Sequence, residues 1–346
     1  MRASVVGVLL VGLLAGFGGA TASADPNPPV DACVLTDKRV AELSGLVADG
    51  ERWYAVNDGG TKSTVYVLTR DCVVERLISG PTDPYDVEDL ARAQDGTFWL
   101  SDTGDNDKKR ETVALIALTP AGKTTLYRLT YPDGPHDTEA LLLDRDNVPY
   151  LITKNPLGSA EIYRPAGTLA SPGPTALERV GAVRMTGTDT QGGPVPPLVG
   201  SVLVTGAASM PDGSAVALRT YTDAYLYAVS DGDLLAALGK EPVRVPLPNE
   251  QQGEAIAFEP DGTLVSASEG TGQPIRTVAG AAGLIAPSPA PAPEPETPAT
   301  PPAGGIDLGA SDEPGGQDGL PTLPAIGLTV VIIGGALLFL RRRRTR

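Results

Sequence analysis

Short apolar runs alternate with polar turns along most of the chain between residues 40 and 270. One arrangement occurs five times: an apolar run, an Asp-Gly or Asp-Asn turn, a second apolar run, and a loop rich in Asp, Gly, Thr and Ser. The five occurrences are residues 43–60, 87–106, 138–156, 205–223 and 253–270. Alternating runs joined by such turns predict β-hairpins.

Two further strand-like runs follow each of the first four hairpins, whereas only residues 274–278 follow the fifth. Residues 32–36 can supply the missing strand, and pairing them with the last repeat would remove an open sheet edge. Repeats of this length are typical of propeller blades. The pattern therefore predicts an all-β fold, a β-propeller of five four-stranded blades closed by an N-terminal strand. Six blades remain an alternative, because the longest interval between repeats contains the unassigned residues 186–198.

Both ends of the chain differ from this body. Residues 1–24 combine Arg2, an apolar run and a small-residue triplet, which predicts a cleaved export signal. Residues 286–324 are rich in Pro and Gly and predict a disordered spacer. Residues 325–340 are apolar and precede an arginine-rich tail at 341–346, which predicts one C-terminal transmembrane helix with a cytoplasmic end.

These end segments place the protein in the cell membrane as a single-pass protein, with residues 25–285 outside the cell. Residues 323–327 are similar to a sortase sorting signal, but Ile326 stands where the scissile Thr belongs. A retained membrane anchor is therefore favoured over attachment to the cell wall. The two cysteines, Cys33 and Cys72, both lie in the exported part and predict a disulfide.

Composition excludes several functional classes. The chain contains 41 Gly and 33 Pro, which argues against a coiled coil or helical bundle. Its net charge of −15 disfavours nucleic acid and anionic lipid as partners. Neither a Walker loop nor a Gly-X-Ser-X-Gly elbow occurs, so neither a nucleotide or organic cofactor nor serine-hydrolase chemistry is indicated.

The repeat phase predicts which residues share one mouth of the central channel. Starts of first strands and ends of second strands meet there. Glu88, Glu139 and Glu254 occupy one repeat position and are the candidate metal ligands, because converging carboxylates suit calcium or another divalent metal. The candidate ligand-binding residues around them are Asp58, Asp102, Asp105, Lys154, Arg219 and Glu269. The alternative is that carboxylates and cations pair with one another without a metal.

His136, the single histidine, precedes Asp137 at the same mouth and is a weak candidate for a general base. No complete catalytic set can be assembled around it. The sequence therefore favours a module that binds an unidentified small molecule or protein outside the cell. The alternative is a metal-dependent hydrolase of a small lactone or phosphate ester.

A set of motifs carries a family resemblance that spans nearly all of residues 40 to 270. The motifs are residues 42–46, 53–60, 88–91, 101–106, 131–135, 137–144, 153–154, 219–227 and 252–258. Together they resemble a family of exported bacterial β-propeller proteins without a settled activity. More distantly, the chain is similar to calcium-dependent gluconolactonase-like and phytase-like propellers. The resemblance implies a propeller fold and leaves the activity open.

Overall fold

The computed structural model describes residues 25–285, and β-strands make up most of them. In chain order the strands are β1 (Val30–Val34), β2 (Leu43–Ala48), β3 (Trp53–Asn57), β4 (Thr64–Leu68), β5 (Val74–Ser79), β6 (Val87–Arg92), β7 (Phe98–Asp102), β8 (Val113–Leu118), β9 (Thr124–Thr130), β10 (Thr138–Leu143), β11 (Pro149–Thr153), β12 (Ser159–Pro165), β13 (Thr175–Arg184), β14 (Val204–Ser209), β15 (Ala215–Thr220), β16 (Asp223–Ala228), β17 (Val243–Pro246), β18 (Gly253–Phe258), β19 (Leu264–Ser268) and β20 (Pro274–Val278).

Helices are few and short in this part of the chain. They are α1 (Pro197–Gly200), α2 (Leu234–Leu238) and two 3-10 helices at Lys38–Val40 and Ala281–Ile285. Within residues 25–285, no helix is long and apolar enough to cross a membrane. The predicted export signal, spacer, transmembrane helix and basic tail lie outside the described residues.

The strands pair in repeating groups of four, as the hairpin pattern predicted. β2–β5 form one four-stranded sheet and β14–β17 another, and β18–β20 form a third together with β1. β6–β9 and β10–β13 form one eight-stranded sheet, because their outer strands β9 and β13 pair in parallel over a short stretch. We call β2–β5 unit 1, β6–β9 unit 2, β10–β13 unit 3 and β14–β17 unit 4. The group of β18–β20 with β1 is unit 5.

The units follow one another around a ring. Each first strand contacts the first strand of the next unit, and β18 contacts β2. The buried hydrophobic residues form five clusters, and each cluster lies between two neighbouring units. Because every unit shares one core with each neighbour, the ring is held together by unit-to-unit packing. The all-β, propeller-like arrangement predicted from the repeats is confirmed.

Burial decreases from the centre of the ring outward. All six residues of β10 and of β18 are buried, as expected for strands covered on both faces. The outer strands β5 and β13 expose much of their length. The inner parts of first strands, such as residues 140–143 and 255–258, are accordingly apolar, whereas β5 and β13 contain several charged residues.

The N-terminal strand closes the ring. β1 pairs antiparallel with β20, from Val30 opposite Thr277 to Val34 opposite Pro274. Cys33 is bonded to Cys72 in the turn between β4 and β5, so the disulfide ties the closing strand to unit 1. The predicted closing strand and the predicted disulfide are thus both present. The strand begins earlier than residues 32–36 suggested and ends at Val34, where the chain turns inward to bury Leu35.

Residues 186–198, which left a sixth blade open, contain no strand. The segment is held against unit 4 by the buried carboxylate of Asp223. Thr188 Oγ1 donates to it at 2.7 Å and Thr190 Oγ1 at 2.8 Å, and Arg244 pairs with it at 2.8 Å. The long interval between the third and fourth repeats is therefore a loop fixed by side-chain hydrogen bonds.

Candidate functional site

Every first strand contains a β-bulge at the same repeat position. The pairing register shifts around one extra residue near the start of β2, β6, β10, β14 and β18. The extra residues are Ser44, Glu88, Glu139, Thr205 and Glu254. Bulges redirect a side chain and are common next to functional sites. The three glutamates that the repeat phase singled out are therefore all bulge residues.

Two of the five bulge residues serve the ring itself. Ser44 Oγ donates to the carbonyl of Val87, and Thr205 Oγ1 donates to the carbonyl of Gly253, both at 2.8 Å. Each bond joins one unit to the first strand of the next. Between units 2 and 3, Thr103 Oγ1 supplies the corresponding bond to the carbonyl of Thr138 at 2.7 Å. The glutamates at the other three bulge positions cannot donate such a bond when they are ionised.

Glu88 and Glu139 converge with Asp137, which immediately precedes β10. One carboxylate oxygen of each lies within 4.8 Å of the others. All three residues are buried: the exposed fraction is 2% for Glu88, 1% for Glu139 and 7% for Asp137. We call Glu88, Asp137 and Glu139 the acidic triad. Three carboxylates held this close in a buried position require compensation by cations or hydrogen bonds.

Lys154, at the end of β11, provides part of that compensation. Its Nζ lies 2.6 Å from Oε1 of Glu139 and 5.0 Å from the ring centre of Tyr221. Burial by itself would lower the pKa of Lys154, but the charge of Glu139, followed by Tyr221, Asp137 and Glu254, holds that pKa well above its usual range. The ammonium is therefore charged at neutral pH and faces the acidic triad.

Asp137 is also held in place through its hydrogen bonds. Its Oδ1 accepts from the backbone N–H of Asp105 at 2.9 Å, and its carbonyl accepts from the N–H of Lys154 at 2.9 Å. Asp137 is thereby connected to the loop after β7 and to the end of β11. These connections orient the Asp137 carboxylate, which lies near the two glutamates.

Sequence reasoning missed Asp137 as a ligand candidate, although a signal was present. Asp86 precedes Glu88 by two residues in the same way that Asp137 precedes Glu139, and Gln252 stands at the matching place before Glu254. The recurrence of Asp-X-Glu in two adjacent repeats marks the two units that share the triad. Asp86 also lies close by, because a Cβ placed on Gly104 would be 2.1 Å from Glu88 Oε1 and 2.5 Å from Asp86 Oδ2.

Glu254, the third predicted metal ligand, is not part of the triad. Its Oε1 accepts from Nε2 of Gln252 at 2.8 Å, and Gln252 also bonds Glu269. Glu254 remains near enough to raise the pKa of Lys154. The structure thus brings Glu254 and Glu269 together through Gln252.

Asp102 and Asp105 anchor loops at the same mouth. Asp102 Oδ1 accepts from the N–H of Asp86 at 2.9 Å and pairs with Arg110 at 3.1 Å. The Asp105 carboxylate accepts from the N–H groups of Lys109 and Arg110 at 2.9 and 2.8 Å. Asp58 is buried, and its carbonyl accepts from the N–H of Val87 at 2.9 Å. Asp102 and Asp58 thus hold the segment that leads into Glu88, and Asp105 fixes the loop after β7.

Arg219 lies inside the protein. Its side chain is fully buried and pairs with Glu250 at 2.7 Å, and Nη1 donates to the carbonyl of Ala255 at 2.8 Å. It also bonds the carbonyls of Thr220 and Ala267. The guanidinium thus joins unit 4 to unit 5, and these bonds occupy donors that a ligand would need.

His136 belongs to an aromatic cluster on unit 3. Its Nε2 lies 3.0 Å from Asp133 Oδ1 and 3.0 Å from the hydroxyl of Tyr163, and its ring packs edge-on against Tyr131. Hydrogen bonding from His136 and Tyr163 outweighs the effect of burial and lowers the pKa of Asp133. The structure therefore gives His136 partners of its own, distinct from the acidic triad.

Asp89, next to Glu88, joins three units across the channel. Its Oδ1 accepts from the N–H of Leu90 at 2.8 Å, and its Oδ2 accepts from those of Leu141 at 2.7 Å and Ala207 at 3.0 Å. Burial raises the pKa of Asp89 well above its usual value in spite of these bonds. Its carboxylate is used for positioning the first strands of units 2, 3 and 4.

Neither a protein-family model nor a curated protein matches the chain. Among solved structures, glutaminyl cyclase from Myxococcus xanthus is 13% identical over 73% of this chain and 97% of that chain, with a TM-score of 0.42. The soluble aldose sugar dehydrogenase from Escherichia coli is 13% identical over 72% and 99%, with a TM-score of 0.39. A gluconolactonase-like protein is 13% identical over 70% and 77%, with a TM-score of 0.40.

The chain is also similar to virginiamycin B lyase from Staphylococcus aureus, with 11% identity and a TM-score of 0.34. No activity follows from these similarities.

Proposed function

We propose that the acidic triad binds a hard divalent cation, calcium in the first instance, and that the occupied mouth binds a ligand outside the cell. The observation that carries this proposal is the convergence of one oxygen each from Glu88, Asp137 and Glu139 within 4.8 Å. Calcium–oxygen distances are about 2.3–2.6 Å, so two ligands on opposite sides of one ion lie up to about 5 Å apart. The triad therefore has the dimensions of a single coordination sphere.

The chemistry of the donor set supports the same proposal. All three donors are carboxylates, which hard cations prefer. The ammonium of Lys154 lies 2.6 Å from Oε1 of Glu139, and its charge also interacts with Asp137. Gly104 supports the fit, because a side chain there would run into Glu88 Oε1 and close the space beside the triad.

We prefer a ligand-binding role over the alternative of a metal-dependent hydrolase. A bound calcium needs about six to eight oxygen ligands, so three carboxylates leave positions for water or for the oxygens of a ligand. The hydrolase alternative needs a general base beside the metal, and the candidate His136 is bonded to Asp133 and Tyr163. Hydrolysis of a small lactone or phosphate ester stays a prediction, which a substrate screen with calcium-loaded protein would test.

We further propose that units 1 to 5 are the five blades of a propeller that stands outside the cell. The disulfide between Cys33 and Cys72 suits an oxidising compartment. Residues 325–340 would anchor the chain in the membrane, and residues 286–324 would hold the propeller away from it. Immunodetection on intact cells, with and without added protease, tests this topology.

The metal proposal is tested by thermal unfolding of the purified chain in EDTA and after addition of calcium, magnesium, manganese or zinc. A cation that binds only the folded state at ~100 Kd stabilises it by about 2.7 kcal/mol. We expect an ion-specific rise in Tm with the wild type. Glu88→Gln and Asp137→Asn should abolish that rise.

Glu254→Gln is the matched control. It changes a glutamate at the same bulge position in unit 5, outside the triad. We expect it to keep the ion-dependent rise in Tm. A wild type whose Tm responds to none of the four ions would refute the metal proposal, whereas loss of the rise in Glu254→Gln alone would move the site away from the triad.

A further inference from the structure

The three most exposed large apolar side chains of residues 25–285 all lie at the mouth of the channel that contains the acidic triad, which we call the triad mouth. They are Leu157, Tyr85 and Leu198, with exposed fractions of 84%, 75% and 69%. Tyr85 lies in the loop that leads into β6, Leu157 in the loop after β11, and Leu198 in α1, which leads into β14. They therefore stand on units 2, 3 and 4, which follow one another in the ring. Apolar side chains exposed together are typical of protein–protein interfaces.

The loops that present these side chains are fixed. Each of the three residues directly follows a proline, namely Pro84, Pro156 or Pro197. The N–H of Tyr85 donates to Oδ1 of Asp102 at 3.2 Å. The N–H of Leu157 donates to Oδ1 of Asn155 at 2.9 Å. Because proline restricts φ and the loops are hydrogen-bonded, their backbone loses little conformational freedom when a partner covers them.

The described part of the chain begins and ends at the opposite end of the ring. Nδ2 of Asn27 donates to the carbonyl of Ala279 at 2.9 Å, directly after β20. The N–H of Ala282 donates to the carbonyl of Gly262 at 3.0 Å, in the hairpin turn between β18 and β19. These hairpin turns lie opposite the triad mouth. Both connections to the rest of the chain therefore start far from the three apolar residues.

Exposed lysines lie on only one side of unit 3 at this mouth. Lys62 stands on the mouth loop of unit 1, and Lys108 stands on that of unit 2. The mouth loops of units 4 and 5 contain neither Lys nor Arg; they are residues 185–203, 221–222, 247–252 and 269–273. Asp189 of unit 4 and Glu269 of unit 5 lie in these loops. The charges of the two sides are thus suited to each other.

We propose that the triad mouth docks against the same mouth of a second copy of this chain, about a two-fold axis that passes through unit 3. A two-fold interface uses the same surface of both copies. Because the units follow one another around the ring, this axis places unit 2 of one copy over unit 4 of the other, and unit 1 over unit 5. Unit 3 then faces unit 3.

The apolar residues match one another in this arrangement. Leu157 meets Leu157 of the second copy at the axis, and Tyr85 meets Leu198 of the second copy on either side of it. The three side chains thereby cover one another without any other partner. Burial of such residues at the centre of an interface is what gives most of its affinity.

The charges match as well. Unit 1 with Lys62 lies over unit 5 with Glu269, and unit 2 with Lys108 lies over unit 4 with Asp189. Opposite charges that face each other across an interface favour the correct partner and orientation. The lysines and carboxylates of this mouth would therefore select the two-fold arrangement about unit 3.

This inference rests on the proposed function in one respect, since it names a second copy of the chain as the ligand of the triad mouth. It does not need the metal. The experiments below are therefore done in EDTA, so that the result is independent of ion binding.

Single cysteines in the full-length chain test the geometry. Each variant is purified in mild detergent, treated with the short thiol cross-linker bis-maleimidoethane, and separated by denaturing electrophoresis. Leu157→Cys should give a cross-linked dimer by itself, because this residue meets its counterpart at the axis. Tyr85→Cys and Leu198→Cys should each give little cross-linked product alone and much more when the two variants are mixed.

Val30→Cys is the matched control. Val30 is 62% exposed but lies on β1, the outer strand of unit 5. A thiol there reports collisions between free chains and should give no dimer. The chain's own cysteines do not react with the cross-linker, because they are joined in a disulfide.

Sedimentation of the full-length chain in the same detergent measures the stability of the dimer. We expect the wild type to dimerise and Leu157→Ser to weaken the dimer at least about tenfold, because two copies of this side chain lose their contact. Val30→Ser should leave the dissociation constant unchanged. Equal Tm values of the three proteins would show that the substitutions do not alter the fold.

A wild type that stays monomeric would overturn the proposal. Equal cross-linking of Leu157→Cys and Val30→Cys would also overturn it, as would a Leu157→Ser dimer as stable as that of the wild type. None of these outcomes bears on the metal proposal, which depends on an ion-dependent rise in Tm. Conversely, a Tm that responds to no ion would leave the dimer in place.

Discussion

The ammonium of Lys154 lies 2.6 Å from Oε1 of Glu139, and both side chains are almost completely buried. The pair joins the end of the second strand of unit 3 to the bulge in its first strand. Lys154 is thus a resident cation in the site where a metal is proposed to bind. Its removal should make the site more dependent on the metal.

We predict that Lys154→Met lowers the stability of the metal-free protein and enlarges the stabilisation by calcium. Breaking one side of a buried ion pair costs about 3–5 kcal/mol, and a bound divalent cation would offset part of that loss. Thermal unfolding in EDTA and in calcium measures both effects. Arg52→Met, which breaks the exposed pair with Glu75, is the control and should change Tm little. A smaller calcium effect in Lys154→Met than in wild type would contradict the prediction.

Gly104→Ala should remove the ion-dependent rise in Tm. The added Cβ would meet Oε1 of Glu88 at 2.1 Å and force this carboxylate away from the other two. Gly167→Ala is a matched control, because a Cβ there meets nothing within 4 Å. Calcium titration followed by Tm compares the two variants. A calcium response of wild-type size in Gly104→Ala would show that the space beside Glu88 is not needed.

Thr205→Val is expected to destabilise the fold by about 1–3 kcal/mol without changing metal affinity. The substitution keeps the side-chain shape but removes the hydroxyl that donates to the buried carbonyl of Gly253, which leaves that acceptor unsatisfied. Urea unfolding measures the loss. Thr64→Val, at an exposed bond to Ser79, should cost far less. Equal costs for the two variants would mean that the bulge hydroxyl does not join units 4 and 5.

Replacing both Cys33 and Cys72 by Ala should lower the free energy of unfolding by about 2–4 kcal/mol. The disulfide spans 39 residues and ties the closing strand β1 to unit 1. Thermal unfolding measures the effect. Reduction of the wild type by dithiothreitol should lower its Tm as much as the double substitution does, and the Tm of the double variant should not respond to the reductant. Unchanged stability of the variant would mean that β1 is held by its pairing with β20 alone.

The stability contributed by Asp49 should disappear in acid. Burial acts to raise its pKa, but Tyr54, the turn N–H groups of Arg52 and Glu51, and Arg92 together lower it below the ordinary 3.8. A depressed folded-state pKa stabilises the protein above pH 3.8, and this contribution declines as the pH falls from there through the folded-state value. Asp49→Asn should therefore cost about 1 kcal/mol at pH 7.

The difference between Asp49→Asn and wild type should narrow below about pH 4, as measured by urea unfolding across pH. Asp71→Asn, in an exposed turn, serves as the control and should match wild type throughout. A difference that stays constant down to pH 2 would show that the ionised form of Asp49 is not what the fold uses.

Much of the fold could be predicted because its signals are local. Asp-Gly turns such as Asp95-Gly96 and Asp261-Gly262 sit between alternating runs, and they mark hairpins that the structure contains. The shortage of strands after the fifth hairpin predicted that β1 completes unit 5. The repeat position shared by Glu88, Glu139 and Glu254 was also visible, whereas the bulge at that position was not. Local backbone preference and side-chain alternation determine all of these features.

The composition of the site could be predicted only in part. Glu88 and Glu139 were expected together and lie together, but Asp137 joins them and Glu254 does not. The reason is the order of the units in the ring. Units 2 and 3 are neighbours, whereas the neighbours of unit 5 are units 4 and 1. A repeat position specifies the height of a residue along the channel, and the packing of neighbouring units determines which side chains meet.

The sequence by itself determined the strand order, the closing strand, the disulfide and the common repeat position of Glu88, Glu139 and Glu254, because each depends on short-range pattern or chain connectivity. Only the tertiary structure decided how charges are used. Arg219 became a buried link between units 4 and 5, and Lys154 became the partner of Glu139. The physical reason is burial: a charge near the channel is compensated by whichever opposite charge or dipole the packing brings within hydrogen-bond distance, and no periodicity in the chain encodes that choice.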